Sequence, residues 1–420
     1  MQVSWRNLYV NKLDMPKLLQ INVTANWGST GKIAEQIGVA AIGAGWDSFI
    51  AYGRYANHSA STLIKVGSKV SQLWHLILSR LFDSHGLASR MATKRLVREI
   101  EKLNPDVIHL HNIHGYYLNY KILFEYLNTT NISVVWTLHD CWPYTGHCAH
   151  YVQDGCCQWQ RVCTRKDCGR HYPISLLSQT KRNFNLKRRL FTSLGSRLVM
   201  TPVSSWLADQ TQKSFLGKHR IQYIYNGIDT SVYVPQEASR IKSKYKLEGK
   251  TVLIGVASTW SEEKGFSDYI KLRKRLSDAY VIIMVGVNSA EIAKLPDGII
   301  GIKRTETAQE LAELYSASDI VLSLSRVETF GLTVTEGMAC GIPVVAYDNT
   351  AQADLLTEAT GIKVKTGDVD GVCDAVHTIR QRGKGYYSQA CRARAEEHFD
   401  KDKCFRKYIE LYENILKNKK

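Results

Sequence analysis

Residues 319–348 read DIVLSLSRVETFGLTVTEGMACGIPVVAYD. The run DIVLSLS is apolar throughout and has the length of a buried strand, whereas LTVTEGMACG suits a short helix that stops at Gly341 before Pro343. IPVVAYD supplies the next strand, so the stretch reads as a strand–helix–strand unit of a parallel sheet. The loop delivers the amides of Phe330, Gly331 and Leu332 to a helix N-terminus, where unpaired N–H groups and the positive end of the helix dipole favour an anion. Gly331 has no side chain, so a diphosphate can lie directly against the main chain there. Glu328 stands on the strand side of this loop and Glu336 about one turn into the helix. Two carboxylates around an anion site suit a ligand with hydroxyls at both ends and phosphates between, which describes a nucleotide-sugar. The position at the carboxyl end of a parallel strand is where open α/β sheets bind ligands.

Working outward, short β-branched runs alternate with longer helical segments along the whole chain. KLLQINVT, DVIHLHN, SVVWTLHD, RLVMTPVS and RIQYIYN are candidate strands before residue 230, and TVLIGVAS, AYVIIMVGV, GIIGIK, DIVLSLS and IPVVAYD follow it. That makes two sheets rather than one and an α/β fold of two domains, which suits a length of 420 residues. The expected organisation is an N-terminal extension 1–14, a first domain 15–230 with a Cys-rich insert 141–171, a linker 231–240, a second domain 241–398 and a terminal helix 399–420. In that helix Phe405, Tyr408, Ile409, Tyr412 and Ile415 fall at helical spacing and mark it as amphipathic.

The formal charge is +16, and it is unevenly placed. Residues 1–230 hold 27 Lys and Arg against 13 Asp and Glu, and residues 231–420 hold 28 against 26, so the excess favours an anionic partner for the first half. No apolar run approaches the roughly 18 residues of a membrane span. The first residues lack the apolar core of a secretory signal, so a cytoplasmic location is expected. Cys141, Cys148, Cys156, Cys157, Cys163 and Cys168 crowd into 28 residues together with His147, His150 and His171. A structural Zn²⁺ on Cys148, Cys157, Cys163 and Cys168 is one reading, buried thiols that stabilise a loop a second, and a disulfide a third.

Glu328, the seven-residue spacer with TFGL, and Glu336 resemble the E-x7-E motif of family-four retaining glycosyltransferases, and the resemblance implies their GT-B fold: two Rossmann-like domains facing across a cleft, with the terminal helix crossing back to pack toward the first domain. NGIDTSVY at 226–233 resembles the family's NGID signature, SEEKGF at 261–266 its KG step, and residues 310–332 the stretch that leads into its donor site. ANWGSTGKIAEQIG, HLHNIHGYYLN and TLHDCWPYTGHC resemble more narrowly the colanic-acid and capsular exopolysaccharide enzymes. The resemblance implies a hexosyltransferase-type enzyme that moves a sugar, without a required cofactor, from a UDP- or GDP-linked donor to a saccharide acceptor, often lipid-linked. No specific nucleic acid is implied. A nucleic-acid-binding protein is the competing reading of charge and cysteines, and an epimerase or phosphorylase would share the architecture.

By the same resemblance Glu328 and His139 are the catalytic candidates, with Asp140 a weaker one. Gly28, Gly31, Lys264, Phe330, Gly331, Leu332 and Glu336 are the donor-binding candidates. The family's usual Arg before the Lys has no counterpart, since Ser258, Thr259 and Trp260 occupy that segment. His109, His111 and His114 are expected to line the cleft structurally. Leu176, Leu177, Phe184 and Leu190, set among Lys181, Arg182, Lys187, Arg188 and Arg189, suggest a helix that lies on the anionic inner leaflet of a membrane.

Overall fold

A computed structural model describes residues 15–418, so the expected extension 1–14 lies outside the described residues. The first sheet comprises β1 Lys17–Asn22, β2 Asp47–Tyr52, β3 Thr62–Lys65, β4 Val107–Leu110, β5 Ser133–Leu138, β6 Leu198–Pro202 and β7 Arg220–Ile221. The second comprises β8 Thr251–Val256, β9 Tyr280–Val285, β10 Ile299–Ile302, β11 Ile320–Ser323, β12 Val344–Tyr347 and β13 Gly361–Val364. The spatial orders are β3-β2-β1-β4-β5-β6-β7 and β10-β9-β8-β11-β12-β13, and the strands within each sheet run parallel. Strand order reverses between β1 and β4 in one sheet and between β8 and β11 in the other. Those switch points open a crevice at the carboxyl ends of the strands.

The β-branched runs form strands because both faces of each sheet are covered: β4, β5 and β6 are buried along their whole length. Three strands, β2, β3 and β13, are not foreseen from the sequence. β3 and β13 are four-residue edge strands, and β2 begins with Asp and Ser, so none carries a long apolar run. The expected strand at 220–226 is hydrogen-bonded as a strand only at Arg220–Ile221.

The chain returns to the first domain through the helix Lys401–Lys417. Its Phe405, Tyr408, Ile409 and Tyr412 are buried against Ile33, Ile37 and Ala41 of the helix Gly28–Gly43 and against Trp46. Tyr412 OH lies 2.6 Å from His109 Nδ1, and Thr137 Oγ1 donates to Tyr408 OH at 3.0 Å. The NGID stretch clasps this return. Ile228 N donates to Phe399 O at 2.8 Å, Lys401 N donates to Ile228 O at 2.9 Å, and Asp229 pairs with Lys401.

The basic segment differs from expectation. The helix Thr180–Phe191 turns Phe184 and Leu190 into the core, and it buries Lys187, whose ammonium donates to Trp142 O at 2.7 Å and Thr145 O at 3.1 Å. Phe184, Leu190 and Lys187 therefore cannot meet a membrane. Its apolar face is needed to cover the first sheet, which sequence periodicity alone does not reveal. Among the described residues no helix is long and apolar enough to cross a membrane.

Candidate active site

The loop after β11 is built as its sequence requires. Gly331 caps the helix Leu332–Ala339 at φ +112°, a region open to glycine, and a Cβ there would stand 3.3 Å from Leu355 Cδ1. Among the described residues, the amides of Phe330, Gly331 and Leu332 have no hydrogen-bond partner. Phe330 contributes only its main chain, because its ring is buried between Tyr225 and Phe399, with centroids 5.8 and 6.0 Å away.

A second turn holds the loop still. Glu328 N donates to Thr350 Oγ1 at 2.9 Å and Ala351 N donates to Glu328 O at 3.1 Å. The fully buried Gln352 donates to Ser325 O at 2.7 Å and accepts from Ser323 Oγ at 2.6 Å. Gln352 carries no sequence signal. A lone Gln in a short helix becomes a brace only once two loops meet.

Lys264 ends a short turn after β8, and its ammonium pairs with Glu328 at 2.5 Å. Gly265 follows at φ +76°, where a Cβ would collide with Leu324 O at 2.2 Å, so the KG step is a steric demand of packing β8 against β11. Trp260, in the segment that lacks the family's Arg, is buried on Tyr269 and donates Nε1–H to Val285 O at 3.0 Å. It fills core.

Glu336 accepts from Tyr315 OH at 3.2 Å. Burial raises its carboxyl to about 7, against the opposing pull of the Tyr315 and Tyr233 hydroxyls and of Lys32 from the first domain. Lys32 stands one turn after Gly28 in the helix Gly28–Gly43, beside Gly31, so a charge next to the glycine-rich turn acts on Glu336 across the two domains.

His139 follows β5 and is joined to the donor loop directly: Thr329 Oγ1 donates to His139 O at 2.8 Å. Its ring stacks on His111 at 5.4 Å, with Nε2 3.1 Å from His111 Nδ1. Hydrogen bonds fix the tautomers. Gln20 spends its amide N–H on Ala34 O at 2.8 Å, so its Oε1, 3.0 Å from His111 Nε2, must accept from His111. Burial keeps His111 neutral, well below its ordinary range, and leaves its Nδ1 a bare acceptor. His139 therefore donates from Nε2 and offers a bare Nδ1. Burial also lowers its own pKa to about 4. His111 is thus the support of His139 rather than a cleft lining alone. The signal that marks Gln20 in sequence is a polar residue inside the apolar strand KLLQIN.

Asp140 is committed to the fold. It accepts from Trp142 N at 3.0 Å and lies 2.9 Å from His114 Nε2. Burial pushes its carboxyl up, but His114 and the Trp142 amide outweigh this and hold it at about 2.

The cysteine set needs correction. All ten cysteines are free, and Cys157 is exposed, whereas Cys148 gathers Cys168, Cys163 and Cys156 around it. The facing Cys148 thiol lowers Cys168 to about 7. Among the described residues no group of three or more His, Cys, Asp or Glu side chains is placed to hold a metal, so the expected zinc set is not assembled. Cys157 immediately precedes the turn Gln158–Gln160 and is exposed, whereas Cys148, Cys163 and Cys168 are buried.

Two parallel-sheet, Rossmann-like domains, each with a strand-order switch at the carboxyl ends of its strands, are the architecture of the GT-B fold. Two family models match: Glycosyltransferase Family 4 over residues 52–232 and Glycosyl transferases group 1 over residues 237–396. The chain belongs to this glycosyltransferase family, whose members generally need no cofactor, and the nucleic-acid reading is displaced. WcaC, a colanic acid biosynthesis glycosyl transferase of Escherichia coli (strain K12), is 24% identical over 421 residues, covering 95% of this chain and 100% of its own. The O-antigen biosynthesis glycosyltransferase WclY of Escherichia coli is 25% identical over 48% of this chain and 58% of its own. Among solved structures, Anabaena HepE in complex with UDP superposes with a TM-score of 0.67 at 15% identity, over 95% of this chain and 100% of that one.

Proposed function

We propose that this enzyme transfers a hexosyl residue, with retention at the anomeric carbon, from a UDP- or GDP-linked donor to a lipid-linked saccharide acceptor. It would act on the inner face of the plasma membrane in exopolysaccharide, capsule or O-antigen assembly. The observation that carries this is the set of free amides at 330–332, flanked by Glu328 and Glu336 and opposed by Lys32 and His139. The names of the similar bacterial enzymes support the same pathway class.

In this reading the donor diphosphate lies on the three amides and draws the Lys264 ammonium, while Glu336 takes the ribose hydroxyls and Glu328 the sugar hydroxyls. His139 accepts a sugar hydroxyl at its bare Nδ1. Because this imidazole is neutral, it orients the sugar without adding positive charge beside a developing cation at the anomeric carbon. Retention on one face requires that the acceptor oxygen bond to that carbon as the carbon–phosphate oxygen bond breaks, with the acceptor proton passing to the departing diphosphate. The amides and Lys264 stabilise the charge left there.

Glu328→Ala tests the assignment. Transfer from a panel of UDP- and GDP-sugars should fall at least about a hundredfold with the melting temperature retained. Full transfer by the variant would refute the proposed site.

A further inference from the structure

Among the described residues 18 large hydrophobic side chains are exposed, and ten of them lie in just two neighbouring segments, Lys69–Phe82 and 172–177. The helix Lys69–Phe82 is inside out. Its buried positions are His75 and Ser79, whereas Val70, Leu73, Trp74, Ile77, Leu81 and Phe82 face water, Val70 at 78% and Trp74 at 60% exposure.

The inward polar face is satisfied. His75 Nδ1 lies 2.8 Å from Ser89 Oγ, and Gly86 N donates to His75 Nε2 at 3.1 Å. A capping box between Ser68 and Ser71 starts the helix. The apolar outer stripe is therefore a fixed feature of a well-anchored helix, and a soluble surface has no use for it. Leu176 N donates to Arg80 O and Leu177 N to Leu81 O, at 2.6 and 3.1 Å, which makes exposed Leu176 and Leu177 continuous with the stripe.

Next to the stripe are two basic hollows that share Arg182. One, of about 430 Å³, is lined by Arg90, Lys121, Arg182 and Arg189 with a single acid, Glu125. The other, of about 540 Å³, is lined by Arg165, Lys166, Lys181 and Arg182 and contains no acid.

We propose that this face docks on an anionic bilayer: the outer stripe of Lys69–Phe82 and Leu176–Leu177 enters the interfacial layer, and the hollows beside Arg182 take phospholipid headgroup phosphates. The inference rests on the membrane-borne acceptor proposed above and names the surface that meets the membrane. Charge selects this occupant. A second copy of the same face would bring Arg and Lys against Arg and Lys, whereas an anionic leaflet complements them, and Trp74 suits the headgroup boundary. The stripe also backs onto the reacting side of the domain. His75 meets Tyr116 edge-on at 6.0 Å, Tyr116 lies 4.9 Å from His85, and His85 lies 5.3 Å from His114, which neighbours His139. A lipid-borne acceptor could stay in the bilayer while its sugar reaches the cleft.

The test is flotation of the full chain with phosphatidylglycerol-containing vesicles and with pure phosphatidylcholine vesicles, comparing wild type, L73Q/W74Q/L176Q and K181E/R182E. Wild type should prefer the anionic vesicles. Each variant should lose about tenfold or more of that binding while keeping the wild-type melting temperature, stabilisation by UDP or GDP and light-scattering mass. Undiminished binding by both variants would overturn the surface and leave the membrane-borne acceptor standing. Failure of wild type to bind any vesicle would overturn both. A wild-type dimer that the apolar variant dissociates, without vesicle binding, would assign the stripe to a second copy and overturn the proposal.

Discussion

Replacing Glu336 with glutamine isolates what the donor site costs the fold. The carboxyl's ordinary value is 4.5, and burial in the cleft raises it to about 7. Below pH 4.5 folded and unfolded chains both hold the proton, and nothing separates them. Between 4.5 and 7 the unfolded chain releases its proton and the folded site keeps it, so stability falls as pH rises; above about 7 the whole cost is present. A gap from 4.5 to about 7, at roughly 1.4 kcal/mol per pH unit, sets a ceiling of about 3.5 kcal/mol. Glutamine cannot ionise, and it keeps an oxygen for Tyr315. The difference in unfolding free energy between variant and wild type, from urea titrations at pH 5, 6, 7 and 8, should therefore grow in favour of the variant across that series and level off above 7. The histidines titrate in both proteins and cancel. The same variant should bind UDP or GDP more weakly at pH 8, where the wild-type carboxylate can accept hydroxyls. A stability difference that stays flat from pH 5 to 8 would refute the buried-acid argument.

Three further outcomes follow from the geometry. Gly331→Ala places a Cβ at φ +112° and 3.3 Å from Leu355; it should cost about 1–3 kcal/mol in urea unfolding and abolish calorimetrically detected nucleotide binding, because the cradle moves. Gln20→Leu frees the His111 tautomer and, through it, His139; losing one orienting hydrogen bond of about 1–1.5 kcal/mol should lower kcat about tenfold with little change in donor KM, and Gln20→Glu should restore part of it. Tyr412→Phe strips His109 Nδ1 of its partner inside the core and should destabilise by about 1–3 kcal/mol, read by denaturant titration, with transfer per folded molecule unchanged.

Local chemistry was enough to fix much of this protein. The alternation of β-branched runs and helices set two parallel sheets, and the Phe330–Leu332 loop, Glu328 and Glu336 were legible because a strand, a glycine and a helix start occur in order. The amphipathic terminal helix could be read from spacing alone. Short edge strands could not, because β3 and β13 carry too few apolar residues to stand out from a loop.

What the tertiary structure decided concerns side chains whose role exists only across distance in the chain. Gln20, His111 and His139 lie on three different strands or their ends, and the parallel register of β1, β4 and β5 alone brings them into one hydrogen-bonded line. Lys32 and Glu336 are 304 residues apart and in different domains, yet the charge of Lys32 acts on the Glu336 carboxyl. The helix Thr180–Phe191 and the helix Lys69–Phe82 both carry apolar residues at helical spacing, yet one buries them and the other exposes them. A helix's own sequence defines an apolar stripe. Only the packing around it determines whether that stripe meets the core or the outside.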